Sequence, residues 1–255
     1  MKIATWNVNS LRVRLPHVLQ WLAAAQPDVL AIQETKTVDE QFPVAELDAA
    51  GYSAVFAGQK TYNGVAILSK SPATEVVTDI PGLDDPQRRI LAATLDGVRV
   101  VNLYVVNGAE VGSDKYVYKL DWLAKVTAWL QQQAAAYPKL VVLGDFNIAP
   151  QDHDVHDPVA WGEGILCSPP ERAALQTIQA LGLQDTFRLF EQAEKSFSWW
   201  DYRAGGFRRN HGLRIDLILA SQALVAVCQS CVIEREPRTW EKPSDHTPVV
   251  AVFAE

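Results

Sequence analysis

Only three cysteines, Cys167, Cys228 and Cys231, occur among the 255 residues. An odd, small number cannot make a fully paired disulfide framework. Cys228 and Cys231 do form a C-x-x-C, but it lies in an apolar run over residues 225–233 that reads as a strand. Residues three apart on a regular strand point to opposite faces, so the thiols are expected to diverge and to act as small buried hydrophobes. Also missing is any uninterrupted apolar run long enough to cross a bilayer. Because Met1 leads directly into a first strand, no signal peptide and no membrane are expected, and the reading is a soluble cytoplasmic protein. No Gly/Ser-rich, Pro-rich or charged linker divides the chain, so one domain over residues 1–255, a monomer, is expected. Short-period repeats are absent, which sets aside solenoids and propellers.

Several catalytic signatures are missing too. There is no Gly-x-Ser-x-Gly elbow, no Walker-type Gly-rich loop and no Rossmann fingerprint. The one tight histidine spacing, His153-x-x-His156, sits in a loop rich in aspartate with no cysteine nearby, a poor zinc set. Nor is there a basic excess: the net charge is −7, which argues against holding nucleic acid by bulk electrostatics. It does not exclude a nucleic-acid enzyme, since carboxylates that bind a divalent metal count as negative in that sum. Locally the balance reverses: Arg203, Arg208, Arg209 and Arg214 face two acids between Asp201 and Asp216. That makes either a phosphate-facing rim or a solvated loop.

What the chain does have is apolar material, 48% of it, in alternating helix and strand patterns. Helices are expected over residues 11–25, 43–50, 115–136 and 170–181, from apolar residues at helical spacing and from Pro or Gly at their ends. Strands are expected near residues 1–6, 29–33, 52–57, 64–69, 74–78, 90–95, 98–106, 140–144, 215–220, 225–233 and 248–253. Asp96-Gly97 is the strongest hairpin signal. The second half roughly echoes the first, which suggests two sheets packed face to face with helices outside, each half supplying one sheet.

Polar residues recur at the ends of these strands. Asn7 and Asn9 follow the first, Glu34 the second, and Asp145 and Asn147 the run 140–144. Asp216 interrupts an apolar run. Asp245-His246 is held between Pro243 and Pro248 just before the final strand. Each alone is an ordinary turn former or cap. Together they are costly buried groups that need a metal, a donor or each other. Hard oxygen donors from several strands, without thiols, suit magnesium or manganese.

At this point the motifs Trp6-Asn7-Val8-Asn9-Ser10-Leu11-Arg12, Gln33-Glu34-Thr35-Lys36, Tyr62-Asn63-Gly64-Val65-Ala66, Gly144-Asp145-Phe146-Asn147-Ile148, Gly212-Leu213-Arg214-Ile215-Asp216 and Pro243-Ser244-Asp245-His246-Thr247-Pro248 can be taken in order. The chain resembles the exonuclease III group of the endonuclease/exonuclease/phosphatase superfamily over nearly its whole length. The resemblance implies a four-layered α/β/β/α sandwich with the active site at one end of the two sheets. It implies a magnesium site at Glu34, with Asn7 and Asn9 close by, shared with Asp245; Asn9 stands where some relatives have aspartate. Asp145 would orient or deprotonate the attacking water, and Asn147 would donate to the phosphate. Asp216 would assist the leaving group or a second metal, Asp245 would orient His246, and Tyr104 and Asn107 would contact the phosphate.

The same resemblance makes Trp199, Leu213 and Ile215 candidate walls of a pocket for a flipped-out abasic sugar or an unstacked 3'-terminal nucleotide. Leu166-Cys167 or Phe207 could block that pocket. Lys36, Arg208 and Arg209 suit a polymer backbone. The implied activity is magnesium-dependent hydrolysis of phosphodiesters in duplex DNA: 5' to an abasic site, from a 3' end, or in cleaning a blocked 3' end. In-line attack needs a placed water, neutralised phosphoryl oxygens and help for the leaving oxygen. Beside metal an aspartate is a poor base, so Asp145 must either be desolvated or mainly position the water. Two other readings keep the residues but change the role: a phosphatase for phosphoinositides or other small phosphoesters, and a non-catalytic nucleic-acid-associated regulator.

Overall fold

The computed structural model describes residues 1–254. Strands β1 (Lys2–Asn7), β2 (Val29–Gln33), β3 (Ser53–Ala57) and β4 (Val65–Ser69) form the first sheet together with the last two strands, β13 (Cys228–Ile233) and β14 (Val249–Phe253), in the order β13-β14-β1-β2-β4-β3. The second sheet contains β5 (Thr74–Val77), β6 (Ile90–Leu95), β7 (Val98–Tyr104), β8 (Leu140–Asp145), β9 (Leu183–Asp185) and β12 (Asp216–Ser221), ordered β5-β6-β7-β8-β12-β9. Between them in sequence, β10 (Trp199–Trp200) and β11 (Gly212–Leu213) make a small ribbon.

Each sheet is apolar on both faces because both faces are covered. Ile3, Val29, Ala31 and Ile67 of the first sheet meet Leu91, Val100, Val141 and Ile218 of the second in a layer closed to solvent. Helices α1 (Leu11–Ala25) and α2 (Val44–Ala49) cover the outside of the first sheet, where Trp6 and Leu30 pack with Leu11, Trp21, Leu22 and Leu47. The outside of the second is covered by α3 (Asp114–Ala136) and, after the short α4 (Pro158–Trp161), by α5 (Pro169–Gln179), with Trp122, Leu123, Leu130 and Ile178 against Val101, Val142 and Leu217. The four-layered sandwich expected from the sequence is what forms. A buried polar tie crosses the central layer: Asn102 donates to the carbonyls of Ile32 and Ala66 and accepts from Gln33. No helix among the described residues is long and apolar enough to cross a membrane.

Three expectations are corrected. The two halves do not supply one sheet each: β13 and β14 return to the first sheet, β14 pairing antiparallel with β1, while β5 to β7 belong to the second. Residues 222–225 form a short helix, so the strand expected from 225 starts at Cys228. The register then shifts between Cys228 and Ser230, placing Cys228 opposite Phe253 and Cys231 opposite Ala251. The extra residue of this bulge cancels the odd spacing, so both free thiols point into the central layer instead of diverging.

Candidate active site

The site is built where strands of both sheets end together. Asn7 closes β1, and Asp145 closes β8. Tyr104, Asp145 and Asp216 stand side by side in register across β7, β8 and β12. Gly144 makes the bend before Asp145: its φ is +138°, and a Cβ there would lie 1.9 Å from the Leu103 carbonyl oxygen. Just past the strands, Asn9, Glu34 and Asn147 have φ of 44°, 54° and 48°, left-handed backbone that costs a non-glycine residue roughly 1–2 kcal/mol. Ser10 does not cap α1 with its side chain; instead the Ser10 and Leu11 amides donate to the carbonyls of Glu34 and Thr35, locking the helix start to the Glu34 turn.

The side chains converge through one network. Asn7 donates through Nδ2 to Glu34 Oε1 and to Asp145 Oδ2, both at 2.9 Å. His246 Nδ1 lies 2.8 Å from Asp216 Oδ2, and its Nε2 lies 3.6 Å from Asp145 Oδ2. Asp216 is fixed in turn by Ser198, whose Oγ accepts from the Ile215 and Asp216 amides. Ser244 Oγ donates to the Asn7 carbonyl and accepts from the His246 amide, which seats the final turn on β1. Ligand atoms of Glu34, Asp145 and His246 lie within 4.8 Å of one another.

Burial and charge set the protonation of this cluster. Asp145 is 1% exposed, and desolvation, with Asp216 adding to it, pushes its carboxyl up to about 7 even though cationic His246 pulls the other way. Burial alone would lower His246, but Asp216 and Asp145 outweigh it and raise the imidazole to about 10. Glu34 behaves oppositely: burial opposes ionisation, yet Lys36 and the Asn7 amide hold it below the ordinary carboxylate value. Burial, then Glu34 and Asp145, push the Tyr104 phenol well up, so it keeps its proton and can donate; the Arg89 guanidinium lies 4.6 Å from its ring centre. Of the three clustered groups, the carboxylates of Glu34 and Asp145 are the hard oxygen donors that suit a magnesium-type cation.

Other expected residues fall into place unevenly. Asn7 turns its NH2 to the carboxylates, while its oxygen accepts from the Asn9 amide, so it ties Glu34 to Asp145. Asp245 is not bonded to His246 and lies outside the Glu34–Asp145–His246 cluster: it accepts from Asn9 Nδ2 and Trp199 Nε1. Asp216 is the hydrogen-bond partner of His246. Lys36 pairs with Glu34 at 2.9 Å and donates to Asn9 Oδ1. Asn147 donates to the Val105 carbonyl and accepts from Asn107, which borders a groove of about 380 Å³ lined also by Tyr62, Arg89, Lys115 and Tyr118. Arg208 and Arg209 are exposed on a short turn of helix at residues 206–209, outside the network.

The candidate pocket walls are packed together. Leu213 and Ile215 are buried in one cluster with Val155, Leu166 and Cys167, and Trp199 packs against it. Leu166 is 5% exposed and takes φ of 70° to lie there. Phe207 is elsewhere, edge-on to Trp200 and beneath Arg235 and Arg238. A separate hollow of about 550 Å³, lined by Val155, His153, His156, Arg188 and Lys195 among others, includes none of Asn7, Glu34, Asp145, Asp216 and His246. Sequence reasoning passed over Ser198, Ser244 and Tyr202, whose hydroxyl ties Asn9 and Arg14 to the Pro243 carbonyl. Nothing in a lone Ser or Tyr marks it as a positioning group until its backbone partners are known.

Two carboxylates and a charged imidazole at the seam of two sheets define a class of phosphoester-cleaving sandwich enzymes that work with a metal. The chain belongs to the endonuclease/exonuclease/phosphatase family, whose model matches residues 4–246. It is 37% identical to the exodeoxyribonuclease III of Haemophilus influenzae, covering 99% of this chain and all of that protein. The 3' phosphatase NExo from Neisseria, solved with a product DNA hairpin, superposes with a TM-score of 0.98 at 48% identity over 100% of both chains. An AP endonuclease from Archaeoglobus fulgidus superposes with a TM-score of 0.96 at 39% identity, again over both full chains.

Proposed function

We propose that this single-domain, monomeric, cytoplasmic protein is a magnesium-dependent DNA repair nuclease whose main work is at 3' ends: stepwise 3' to 5' trimming and removal of blocking 3' phosphates. The observation that carries the reading is the chain of contacts Asp216–His246–Asp145–Asn7–Glu34 at the mouth of the two sheets. Glu34 and Asp145 would hold the cation. When bound, it would supply neutralisation of the phosphoryl oxygens and polarisation of the phosphorus centre.

This chain's own groups account for the rest. His246, cationic through Asp216, donates from Nε2 to a phosphoryl oxygen and offsets charge as it builds. Asp145, held beside the cation, orients the attacking water, the second of the two roles open to it in sequence. Tyr104 and Asn147 are neutral donors on the same face, and the groove beside Asn107 with Tyr62, Arg89 and Lys115 gives the strand a partly basic, partly aromatic path.

A second activity, incision beside an abasic site, is favoured by the walls Trp199, Leu213 and Ile215 and by the likeness to an AP endonuclease. Because Leu166 is buried in the same cluster as Leu213 and Ile215, we take it as the minor activity. The test is a labelled duplex with a recessed or 3'-phosphorylated end beside one carrying an abasic analogue. Each is incubated with magnesium, with EDTA, and with the Asp145→Ala variant. Trimming and phosphate release lost with EDTA and with the variant, and slower abasic incision, are expected. Abasic incision equal to trimming would refute the preference, and cleavage of neither DNA would refute the reading.

A further inference from the structure

Lys119 lies on the inner face of α3, between Tyr116 and Leu123, with 0% of its surface exposed. A buried ammonium has to satisfy three N–H groups, and this one does so with three acceptors: the Asn107 carbonyl at 3.0 Å, the Asn147 carbonyl at 2.7 Å and Glu171 Oε1 at 2.5 Å. The two carbonyls belong to separate loops, one after β7 and one after β8, which are also joined by the 3.2 Å contact between Asn107 and Asn147 and by Asn147 Nδ2 donating to the Val105 carbonyl. Two carbonyl oxygens brought to one point repel unless a donor stands between them. The stem of Lys119 also runs against Gly108, where a Cβ would lie 3.0 Å from Lys119 Cδ. Glu171 has anchors of its own, since it accepts from the Leu166 amide and from the amide and hydroxyl of Ser168.

We propose that Lys119 is a positioning residue of the active site: its ammonium pins the backbone of Asn107 to that of Asn147, and thereby aims both side-chain amides at the reacting phosphate. The inference rests on the reading of those two asparagines as phosphate contacts. A polar hub below the site, and not the exposed rim, then sets their placement. Misplacing such groups by about 1 Å costs up to roughly a hundredfold in rate.

Lys119→Met alone would strand the Glu171 charge and endanger folding, so the informative pair is Glu171→Gln and the double variant Lys119→Met/Glu171→Gln. In the first, Lys119 keeps its two carbonyl partners even as a neutral amine, which still carries two N–H groups. In the second those donors are gone and no buried charge is left. We expect the Glu171→Gln variant to keep kcat for 3' trimming within about threefold, and the double variant to lose roughly ten- to a hundredfold in kcat with KM within about twofold. Backbone amide exchange should accelerate over residues 105–109 and 146–149 in the double variant only. The proposal is overturned if the double variant keeps wild-type kcat and exchange, or if Glu171→Gln alone reproduces its losses. A wild-type protein with no activity on 3' ends would sink the functional reading, while the exchange comparison would still decide the role of Lys119.

Discussion

Replacing Asp216 by Asn keeps the shape of the partner of His246 and removes only its charge. An Asn oxygen can still accept from Nδ1–H at the observed 2.8 Å, and the backbone bond to Ser198 is unchanged. Two unit charges about 4 Å apart at an effective dielectric constant of ~20 attract by ~4 kcal/mol, equivalent to ~3 pKa units. His246 should therefore fall from about 10 toward ~7. Its raised value means that the cationic form is present below the pKa and is lost as pH rises through it. The wild-type imidazole should then remain charged across the neutral range, while that of Asp216→Asn discharges between roughly pH 6 and 8. The assay is the pH–rate profile for 3' trimming at saturating magnesium, supported by an NMR titration of His246 in chelator. The two proteins should differ by less than ~5-fold near pH 6 and by ~30-fold near pH 8.5, the variant falling about tenfold per unit on its basic limb. A loss that is the same at every pH, with an unshifted His246 resonance, would refute the claim that Asp216 acts by keeping the imidazole charged.

Trimming Leu166 beside the candidate walls is a second test. Leu166→Gly removes a buried leucine, a change worth ~2–4 kcal/mol of packing, but also relieves left-handed backbone. A modest drop in Tm with at least a tenfold gain in abasic incision relative to trimming is expected, and an unchanged ratio would show that Leu166 does not bar the sugar. Protons and the cation should compete at Asp145, whose carboxyl sits near 7: magnesium affinity by calorimetry should be flat above that pH and weaken up to tenfold per unit below it. Affinity independent of pH from 5 to 8 would argue against Asp145 as a ligand. Gly144→Ala should cost ~2–4 kcal/mol, because its Cβ would collide with the Leu103 carbonyl, and should disorder Asp145. Wild-type stability by denaturant unfolding would contradict the close approach.

The layer architecture was legible because it rests on local signals: apolar runs of strand length, helical spacing in α1 and α3, and Asp96-Gly97 between paired strands. So was the placing of the polar residues, since a strand that ends in Asn or Asp with no partner in sequence needs one in space. The allotment of strands to sheets was not, because β14 pairs with β1 across the whole chain and no local pattern encodes that choice. Neither was the partner of His246. Neighbours in an extended segment point to opposite sides, and residues 245–247 run extended against 198–200, so Asp245 turns to Asn9 and Trp199 while His246 turns inward to Asp216. Lys119 did leave a trace, a lysine on the apolar face of α3 at three residues from Tyr116 and four from Leu123. A charge at such a position is either solvated by snorkelling or paired inside, and only the fold distinguishes the two.

The most direct test of the central claim is the magnesium dependence of single-turnover 3'-end trimming in the wild type and in Glu34→Gln. The account predicts saturable cleavage abolished by EDTA, with the variant needing at least ~10-fold more magnesium for half-maximal rate. Cleavage that survives chelation, or a Glu34→Gln protein with the wild-type magnesium requirement, would contradict the assignment of a metal-dependent nuclease to this site.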